Sequence, residues 1–365
     1  MKHFKEFRNL SIATIMLMAA AFFTACSNDD NSVVDKPTLG STVIWNINTQ
    51  GNAMVPAGER WIIKGNGEET RNRIIIGDGA MVTLSGVNIK SRHSPDEGAG
   101  ITCLGDATIV LETGTTNIVT GAPDYPGITV STENKIGTLT IKGTGSLEAN
   151  STYDAPGIGC PYYDKNGSSG VKMNCGNIVI ENGNITAYGR GNSAAIGSCG
   201  SNKCGDITIK GGNVTAISAD YGPGIGCGGY EEGSSCGNIT ILGGVVNAKS
   251  NGYSPAIGCS YRNETSCGDI LIAGGTVNAD ASDCEWGPGI GSIGSGVCGS
   301  ITITYKVTKV TATSGKQAPY SIGLDYASPG TCGPITIGGI IYWDGFEFQN
   351  GGEDYLAQKQ FVYEP

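Results

Sequence analysis

Aromatic side chains recur at one kind of position in the sequence, shortly before a proline. Tyr221, Tyr253 and Trp286 each lie two residues before a proline, and Tyr125 and Tyr153 take nearly the same place earlier in the chain. Flat rings at regular spacing stack on the apolar faces of sugars, and their hydroxyl and indole groups bond sugar hydroxyls. We predict a ligand-binding row of aromatics. The alternative is that the rings only shield a corner and stack on one another.

Acidic residues flank this row. Asp220 precedes Tyr221, and Glu285 precedes Trp286. Carboxylates accept hydrogen bonds from sugar hydroxyls, and they are also calcium ligands. We therefore include both acids in the predicted ligand-binding set. No metal site is assigned and no cofactor is expected, with calcium as the one ion that these acids would suit.

The same acids raise the question of polysaccharide cleavage. Two acids separated by two strand spacings would lie ~9.6 Å apart, close to the carboxyl separation of inverting glycosidases. The paired aspartates and Gly-His-Gly of polygalacturonases are missing, and the two histidines, His3 and His93, lie outside the repeats. We therefore assign no catalytic residue and favour a protein that is not an enzyme. A polysaccharide lyase or hydrolase is the less favoured alternative.

A repeated phrase must position these residues. Pro-Gly-Ile-Gly-Cys is followed by a variable loop, then Cys-Gly-Asn/Asp-Ile-Thr-Ile, Gly-Gly and x-Val-x-Ala. The second half of the phrase starts at six cysteines spaced at nearly even intervals: Cys175, Cys204, Cys236, Cys267, Cys298 and Cys332. Three short strands per unit, turned by glycine corners, predict one coil of a β-solenoid whose core forms between stacked units.

The predicted fold is therefore all-β: a single-stranded right-handed parallel β-helix (β-solenoid) with about 30–32 residues per coil and a cap at each end. The handedness follows from the general rule for parallel crossovers. We predict a signal peptide over 1–25, a tether over 26–40, an N-terminal cap with degraded coils over 41–100, β-helix repeats over 101–339 and a C-terminal cap over 340–365.

The cysteines admit two interpretations. Four units carry a pair around the loop, namely Cys160 with Cys175, Cys199 with Cys204, Cys227 with Cys236, and Cys259 with Cys267. Each pair could form a disulfide in an exported protein. However, Cys298 and Cys332 persist where the first position is Ser292 or Leu324, which favours a stack of buried free thiols. Zinc is not expected, because no histidine is near and the spacing within pairs varies.

A further column follows the second cysteine. Asn or Asp stands after Cys-Gly in four units, at Asn177, Asp206, Asn238 and Asp269, and Ser300 and Pro334 follow. Asn and Asp at tight corners bond the nearby backbone. We interpret this column as a structural ladder rather than a binding site.

The N-terminus has the pattern of an exported protein. Lys2, Lys5 and Arg8 precede a short apolar stretch, and Phe23-Thr24-Ala25-Cys26 resembles a bacterial lipobox whose cysteine is lipidated. The acidic Ser27-Asn28-Asp29-Asp30 that follows looks like the export tag of surface lipoproteins. An ordinary signal peptide with a chance cysteine is the alternative.

Together the repeat and the leader resemble the right-handed parallel β-helix surface lipoproteins of Bacteroidetes, a carbohydrate-binding or adhesin-like group. The resemblance implies an outer-membrane lipoprotein, lipid-anchored at Cys26 and facing the cell exterior, that displays a rigid β-helix and binds glycans or acts as an adhesin. A structural surface protein without a small ligand is the alternative.

Charge limits the partners. The formal net charge is −10, and nucleic acid and anionic headgroups both require basic patches. We expect polysaccharide or glycoconjugate partners, no nucleic acid, and membrane contact through the lipid alone. No oligomeric state is predicted.

Overall fold

A computed structural model describes residues 42–92, 98–130, 136–162, 174–229, 233–261, 265–324 and 330–365. The predicted signal peptide, Cys26 and the tether lie outside the described residues. The chain is almost entirely β-structure, and the two described helices, Ile47–Gln50 and Gly352–Leu356, are about one turn each. Within the described residues, neither helix is long and apolar enough to cross a membrane.

Four sheets account for the strands. Sheet 1 contains Val43–Asn46, Arg60–Lys64, Ala80–Ser85, Ala107–Leu111, Thr138–Gly143, Asn177–Ile180, Ile207–Ile209, Ile239–Ile241, Ile270–Ile272, Ile301–Ile303, Ile335–Ile337 and Ile340–Trp343. Sheet 2 contains Ala53–Val55, Ile74–Ile76, Ile101–Cys103, Ile128–Val130, Ile158–Gly159, Ile196–Ser198, Ile225–Cys227, Ile257–Cys259, Ile290–Ser292 and Ile322–Leu324.

The third face of the coil and a short fourth sheet complete the set. Sheet 3 contains Asn88–Lys90, Thr116–Thr120, Ser146–Asn150, Asn184–Gly189, Asn213–Ser218, Val245–Ser250, Thr276–Asp280, Lys309–Thr313 and Gln360–Tyr363. Sheet 4 contains Ser235–Cys236, Ser266–Cys267, Val297–Cys298 and Thr331–Cys332. The chain visits the sheets in turn, so each full coil lays one strand on each of the three main faces.

Strand pairing places like residues on one another. In sheet 1, Ile207 pairs with Ile239, Ile239 with Ile270, and Ile270 with Ile301, all in parallel. The isoleucines of each Ile-Thr-Ile or Ile-Leu-Ile strand point into the core and the central residue points outward, because successive side chains alternate between the two faces of a strand. The core is thus a set of aliphatic columns, and the predicted parallel β-helix is confirmed.

Coil length is not uniform along the stack. Ile239 pairs with Ile270, so this central coil has the predicted length. Nearer the N-terminus, Ile63 pairs with Leu84, so the coil there is much shorter. Leu139 pairs with Ile178, so this coil is longer than the central one. The sheets absorb the differences because the extra residues lie in the loops between strands.

Strand direction changes at the C-terminal end. Ile340–Trp343 pairs antiparallel with Ile335–Ile337, and Gln360–Tyr363 pairs antiparallel with Lys309–Thr313. Phe361 is fully buried against the core. We call residues 340–365 the C-terminal cap. Its antiparallel strands cover strand edges that would otherwise continue the stack.

Candidate functional site

Three exposed tyrosines of the predicted row lie where the coil turns from sheet 3 into sheet 2. We call this turn, between Val245–Ser250 and Ile257–Cys259 in one coil and its equivalents in others, the tyrosine corner. Tyr153, Tyr221 and Tyr253 are 61%, 44% and 43% exposed. Large side chains are mostly buried in this fold, so three exposed rings in one kind of turn form a distinct surface feature.

Two of the predicted rings are stacked on each other. Tyr221 and Tyr253 lie at equivalent positions, because the strands on both sides of the corner pair with the same offset. Their ring centroids are 5.5 Å apart and their planes differ by 20°. This arrangement is an offset stack of the kind that stabilises aromatic pairs. It also covers one face of each ring.

The five predicted aromatics do not form one unbroken column. The strand register places Asn192, not an aromatic, opposite Tyr221 in the preceding coil. Tyr153 then lies opposite Gly191, one position earlier than expected. Tyr125 lies opposite Ala155 and is half-buried. These corners have the same length, and the two tyrosines are out of the column because they stand one and three residues before their prolines rather than two.

Trp286 occupies an enlarged corner. The strands before it pair Lys249 with Asp280, and those after it pair Ile257 with Ile290. The second offset is the larger one, so extra residues are inserted within this corner. Counted back from Ile290, Trp286 lies opposite the tyrosine of the preceding coil. The indole is half-buried, and it therefore presents less ring surface than the three exposed tyrosines do.

Glycine and buried hydroxyls shape the corner. A Cβ on Gly222 would lie 1.8 Å from the carbonyl oxygen of Ser193, so the backbones of adjacent coils touch there. The buried Ser254 hydroxyl donates to the Tyr221 carbonyl, and the buried Ser250 hydroxyl donates to the Gly222 carbonyl at 2.9 Å. These hydrogen bonds satisfy backbone carbonyl groups of the corner that have no partner in the β-sheets. The tyrosines are thus mounted on a rigid turn.

Asp220 bonds to the neighbouring coil. Its Oδ2 accepts the Gly191 backbone N–H at 2.8 Å, and from the opposite side Asp154 Oδ1 accepts the Asn192 backbone N–H at 3.0 Å. Burial raises the pKa of Asp154, and the nearby Asp220 charge raises it further, while the bonds from Asn192 oppose the shift. The two acids clamp the turn that interrupts the aromatic row.

Glu285 has a comparable internal partner. Its Oε1 accepts a hydrogen bond from the Gln317 side-chain amide in the next coil. Asp220 and Glu285 lie two coils apart, as the sequence interpretation assumed. Each carboxylate nevertheless accepts a bond from its own chain. A glycosidase acid must instead face the glycosidic oxygen or a water molecule.

The Asn/Asp column forms a hydrogen-bonded ladder. Asp206 Oδ1 accepts the Asn238 backbone N–H at 2.8 Å, Asn238 Oδ1 accepts that of Asp269 at 2.9 Å, and Asp269 Oδ1 accepts that of Ser300 at 2.7 Å. Each side chain thus bonds the equivalent residue one coil further on. The predicted structural ladder is confirmed. We call the Cys-Gly-Asn/Asp turn that carries it the ladder corner.

The glycine of the Cys-Gly-Asn/Asp turn is required because the ladder oxygen of the preceding coil lies next to it. A Cβ on Gly268 would lie 2.3 Å from Asn238 Oδ1, and a Cβ on Gly237 would lie 2.2 Å from Asp206 Oδ1. Any larger residue would therefore displace the oxygen that accepts the ladder bond.

The cysteines beside the ladder are free thiols. All twelve cysteines in the described residues are free and buried, and sheet 4 pairs Cys236 with Cys267 and Cys267 with Cys298. Burial raises the pKa of Cys227, as it does that of Cys103, which rises to about 12. Hydrogen bonds from neighbouring thiols lower the pKa of Cys267 instead. The structure therefore contains the stacked thiols rather than disulfide staples.

One member of the proposed pair Cys199 with Cys204 does not align with the equivalent cysteines of the other coils. Cys227 pairs in sheet 2 with Ser198, not with Cys199. Cys199 is buried one position further along and donates to the Cys160 carbonyl at 3.4 Å. The expected match of Cys199 with the first cysteine column is therefore wrong. Within the described ranges, no group of three or more His, Cys, Asp or Glu side chains is arranged to hold a metal ion.

The structure leaves Tyr342 and Tyr355 of the C-terminal cap beside an open cleft, together with Asp354 and Gln358. The available signal was the run Asp354-Tyr355 followed closely by Gln358, which brings polar and aromatic groups together at the end of the short helix.

Comparison with known proteins agrees with the fold. A family model described as "Beta helix repeat" matches residues 178–201, 207–229 and 239–261. No curated protein and no solved structure gives a significant match. The three matched segments coincide with central coils, each running from sheet 1 through sheet 3 and the tyrosine corner into sheet 2. The chain therefore contains β-helix repeats, and the fold is a parallel β-solenoid.

Proposed function

We propose that this protein is a surface-exposed outer-membrane lipoprotein whose β-helix binds glycans through the tyrosine corner and so acts as a glycan-binding or adhesive protein. The observation that carries the proposal is the exposure of Tyr153, Tyr221 and Tyr253 on one kind of rigid turn. Exposed aromatic rings held on a stiff scaffold contact sugars at low entropic cost.

The geometry indicates how contact would be made. The stacked Tyr221 and Tyr253 rings keep their outer faces and hydroxyl groups for a ligand, while Tyr153 adds a ring two coils before Tyr221. The turn at Gly191 and Asn192 lies between them and carries no aromatic. A chain of sugar units running along the stack would meet aromatic and polar surfaces alternately. The net charge of −10 favours neutral glycans over polyuronates.

The binding test compares tyrosines of similar exposure. Wild-type protein and a Tyr221→Ala, Tyr253→Ala, Trp286→Ala variant are applied to a glycan array. Tyr305→Ala is the matched control, because Tyr305 is 67% exposed but lies outside the corner. We expect binding to survive in the control and to disappear in the triple variant. Equal binding by all three proteins would remove the corner from the proposal.

Membrane attachment needs a separate test. Cells expressing the full chain are grown with labelled fatty acid, and intact cells are treated with protease. We expect label on the wild-type protein, none on Cys26→Ala, and loss of the protein from intact cells on protease treatment. A protein that is unlabelled and protected from protease would contradict both the anchor and the outward orientation.

A second candidate function is a structural surface protein without a small ligand. The Tyr221–Tyr253 stack favours it, because each ring already has an aromatic partner. Under this alternative the triple variant would lose stability, and no glycan on host or plant panels would bind the wild-type protein.

A further inference from the structure

An open cleft lies in the C-terminal cap, beyond the last coil of the stack and away from the coil of Tyr221. Its volume is about 370 Å³, within the range of small-molecule sites. The lining residues are Tyr342, Asn350, Gly351, Asp354, Tyr355 and Gln358. They come from the strand Ile340–Trp343, the helix Gly352–Leu356 and the turns beside that helix.

The aromatic wall of the cleft is fixed by the core. The Tyr342 and Tyr355 centroids are 4.4 Å apart, and Tyr355 makes an edge contact with the fully buried Phe361 at 5.2 Å. Burial raises the pKa of Tyr355, with Tyr342 and Tyr363 adding to the shift. The Tyr355 hydroxyl therefore stays protonated at neutral pH and can donate as well as accept.

The polar side chains that line the cleft are exposed to solvent and available for hydrogen bonds. Asp354 and Gln358 are both exposed, and neither side chain has a hydrogen-bond partner among the residues that the structure describes. Asn350 donates from its side-chain amide to the Ile341 carbonyl at 2.8 Å, which holds the turn against the strand. Gly351, in the left-handed region at φ +71°, would have open space around a Cβ. The turn therefore does not fill the cleft.

We propose that this cleft binds a neutral pyranose sugar, either free or as the terminal unit of a glycan. Two tyrosine rings supply a surface for the apolar face of the sugar, and a carboxylate, an amide and phenol hydroxyls supply both acceptors and donors for its hydroxyls. The one ionisable carboxylate in the lining, on a chain of net charge −10, disfavours acidic sugars. The site is separate from the tyrosine corner and would exist even if the corner bound nothing.

Binding is measured by saturation-transfer NMR and calorimetry. The probes are the methyl glycosides of glucose, galactose, mannose and N-acetylglucosamine, with methyl glucuronoside as the acidic comparison. We expect at least one neutral probe to bind with a Kd on the order of 1 mM, as is reasonable for a ligand of this size, and the glucuronoside to bind far more weakly. Tighter binding of an oligosaccharide than of its terminal methyl glycoside would identify a chain end as the ligand, whereas equal binding would identify a single sugar.

Substitutions in the cleft distinguish sugar binding at this site from binding at the tyrosine corner. Gln358→Ala and Asp354→Ala change exposed side chains, so the cap should stay folded, and each should weaken binding about tenfold, the loss of one or two hydrogen bonds. Glu353→Gln is the control, because Glu353 is exposed on the same helix but does not line the cleft.

Three results would overturn the proposal. They are failure of every neutral probe to bind, unchanged binding in both Gln358→Ala and Asp354→Ala, and loss of binding in the Tyr221→Ala, Tyr253→Ala variant instead. The last result would leave the proposed function intact while removing the cleft. Loss in the cleft variants alone would support the cleft whatever the corner does.

Discussion

The ladder corner and the tyrosine corner are both repeated turns, yet they use their side chains in opposite ways. At the ladder corner, Asn238 bonds the next coil, and the neighbouring Cys236 is buried against other thiols. At the tyrosine corner, the backbone is held by buried serines while Tyr221 and Tyr253 remain exposed. A repeated residue is therefore a candidate for binding only when the next coil does not already use its functional group.

We expect the largest loss of folding stability at alkaline pH, from ionisation of the buried thiols. Burial raises the pKa of Cys227 and of Cys259, and it raises that of Cys103 from 9.0 to about 12. Because unfolded thiols lose their protons first, the stabilisation is complete below about pH 9 and is lost as pH rises towards the folded pKa values. Cys267, whose pKa is lowered, contributes in the opposite sense, but the raised thiols outnumber it.

The measurement is chemical unfolding between neutral pH and strongly alkaline pH. Stability should fall once the pH passes the ordinary pKa of a thiol. Cys284, the buried thiol of the enlarged tyrosine corner at Trp286, should add to the loss because burial raises its pKa as well. A flat profile would contradict this.

Gly268→Ala should be the most damaging single substitution at the ladder corner. The added Cβ would meet Asn238 Oδ1 at 2.3 Å and the Asn238 backbone nitrogen at 3.0 Å, so both the ladder bond and the backbone would have to shift. We expect a loss of about 2–4 kcal/mol in the free energy of unfolding, measured by urea denaturation. Thr240→Ala, an outward-facing change, is the control. A loss in Gly268→Ala no larger than in this control would show that the ladder corner tolerates rearrangement.

Cys267→Ser tests the apolar character of the thiol column. A hydroxyl placed among buried thiols is a stronger polar group without an assured partner, and we expect a cost of about 1–3 kcal/mol. Cys267→Ala keeps the position apolar and should cost less. If Ser were tolerated better than Ala, the column would behave as a polar network, which would weaken the contrast between the two corners.

Asn238→Asp tests the alternation of the ladder. Asn238 lies between Asp206 and Asp269, so a third carboxylate would stand one coil from each. Repulsion at this spacing should cost about 1–2 kcal/mol at neutral pH and should diminish at acidic pH, where the carboxylates are protonated. Asn238→Ala, which removes the acceptor without adding charge, should show no such dependence on pH. Equal pH profiles would rule out the electrostatic explanation.

Loss of the two stacked tyrosines should have the smallest effect on stability. The double variant Tyr221→Ala, Tyr253→Ala gives up one aromatic pair, for which we expect about 0.5–1.5 kcal/mol. Thermal unfolding and glycan binding are measured on the same sample. Unchanged stability together with lost binding would sharpen the contrast between the corners. A loss above about 3 kcal/mol, the range of a severe core substitution, would make the tyrosine corner as structural as the ladder corner.

Much of the fold could be predicted from the sequence because the core contacts repeat. Ile-Thr-Ile at a fixed spacing requires the isoleucines to share a face, and stacking of like residues follows from the period. The Asn/Asp ladder was predicted for the same reason, since a short amide or carboxylate at a tight turn bonds nearby backbone. These contacts join equivalent residues in neighbouring coils, so a repeat in the sequence is enough to indicate them.

The candidate site was harder to predict because its aromatic residues do not keep one spacing to the strand that follows them. Tyr153 moved one position, and Tyr125 moved to the position of Ala155, once the strands on both sides were paired. Cys199 left its expected column because it stands one residue further from Ile196 than Cys227 stands from Ile225. The cleft beside Tyr355 follows no repeat, because it forms where the antiparallel strands of the cap end the stack.

A parallel β-helix with aliphatic columns, a polar ladder and a recurring aromatic turn follows from the sequence, because the short-range geometry of a strand and the period of the repeat together define the core. The packing of one coil on the next determines which side chains bond within the protein and which face solvent. Tyr221 and Tyr253 stack, Asp220 and Glu285 bond to adjacent coils, the thiols remain free, and the cap leaves a cleft. Each of these depends on strand register and on contacts between neighbouring coils, and both are set by small differences in side-chain position that composition and repeat spacing do not show.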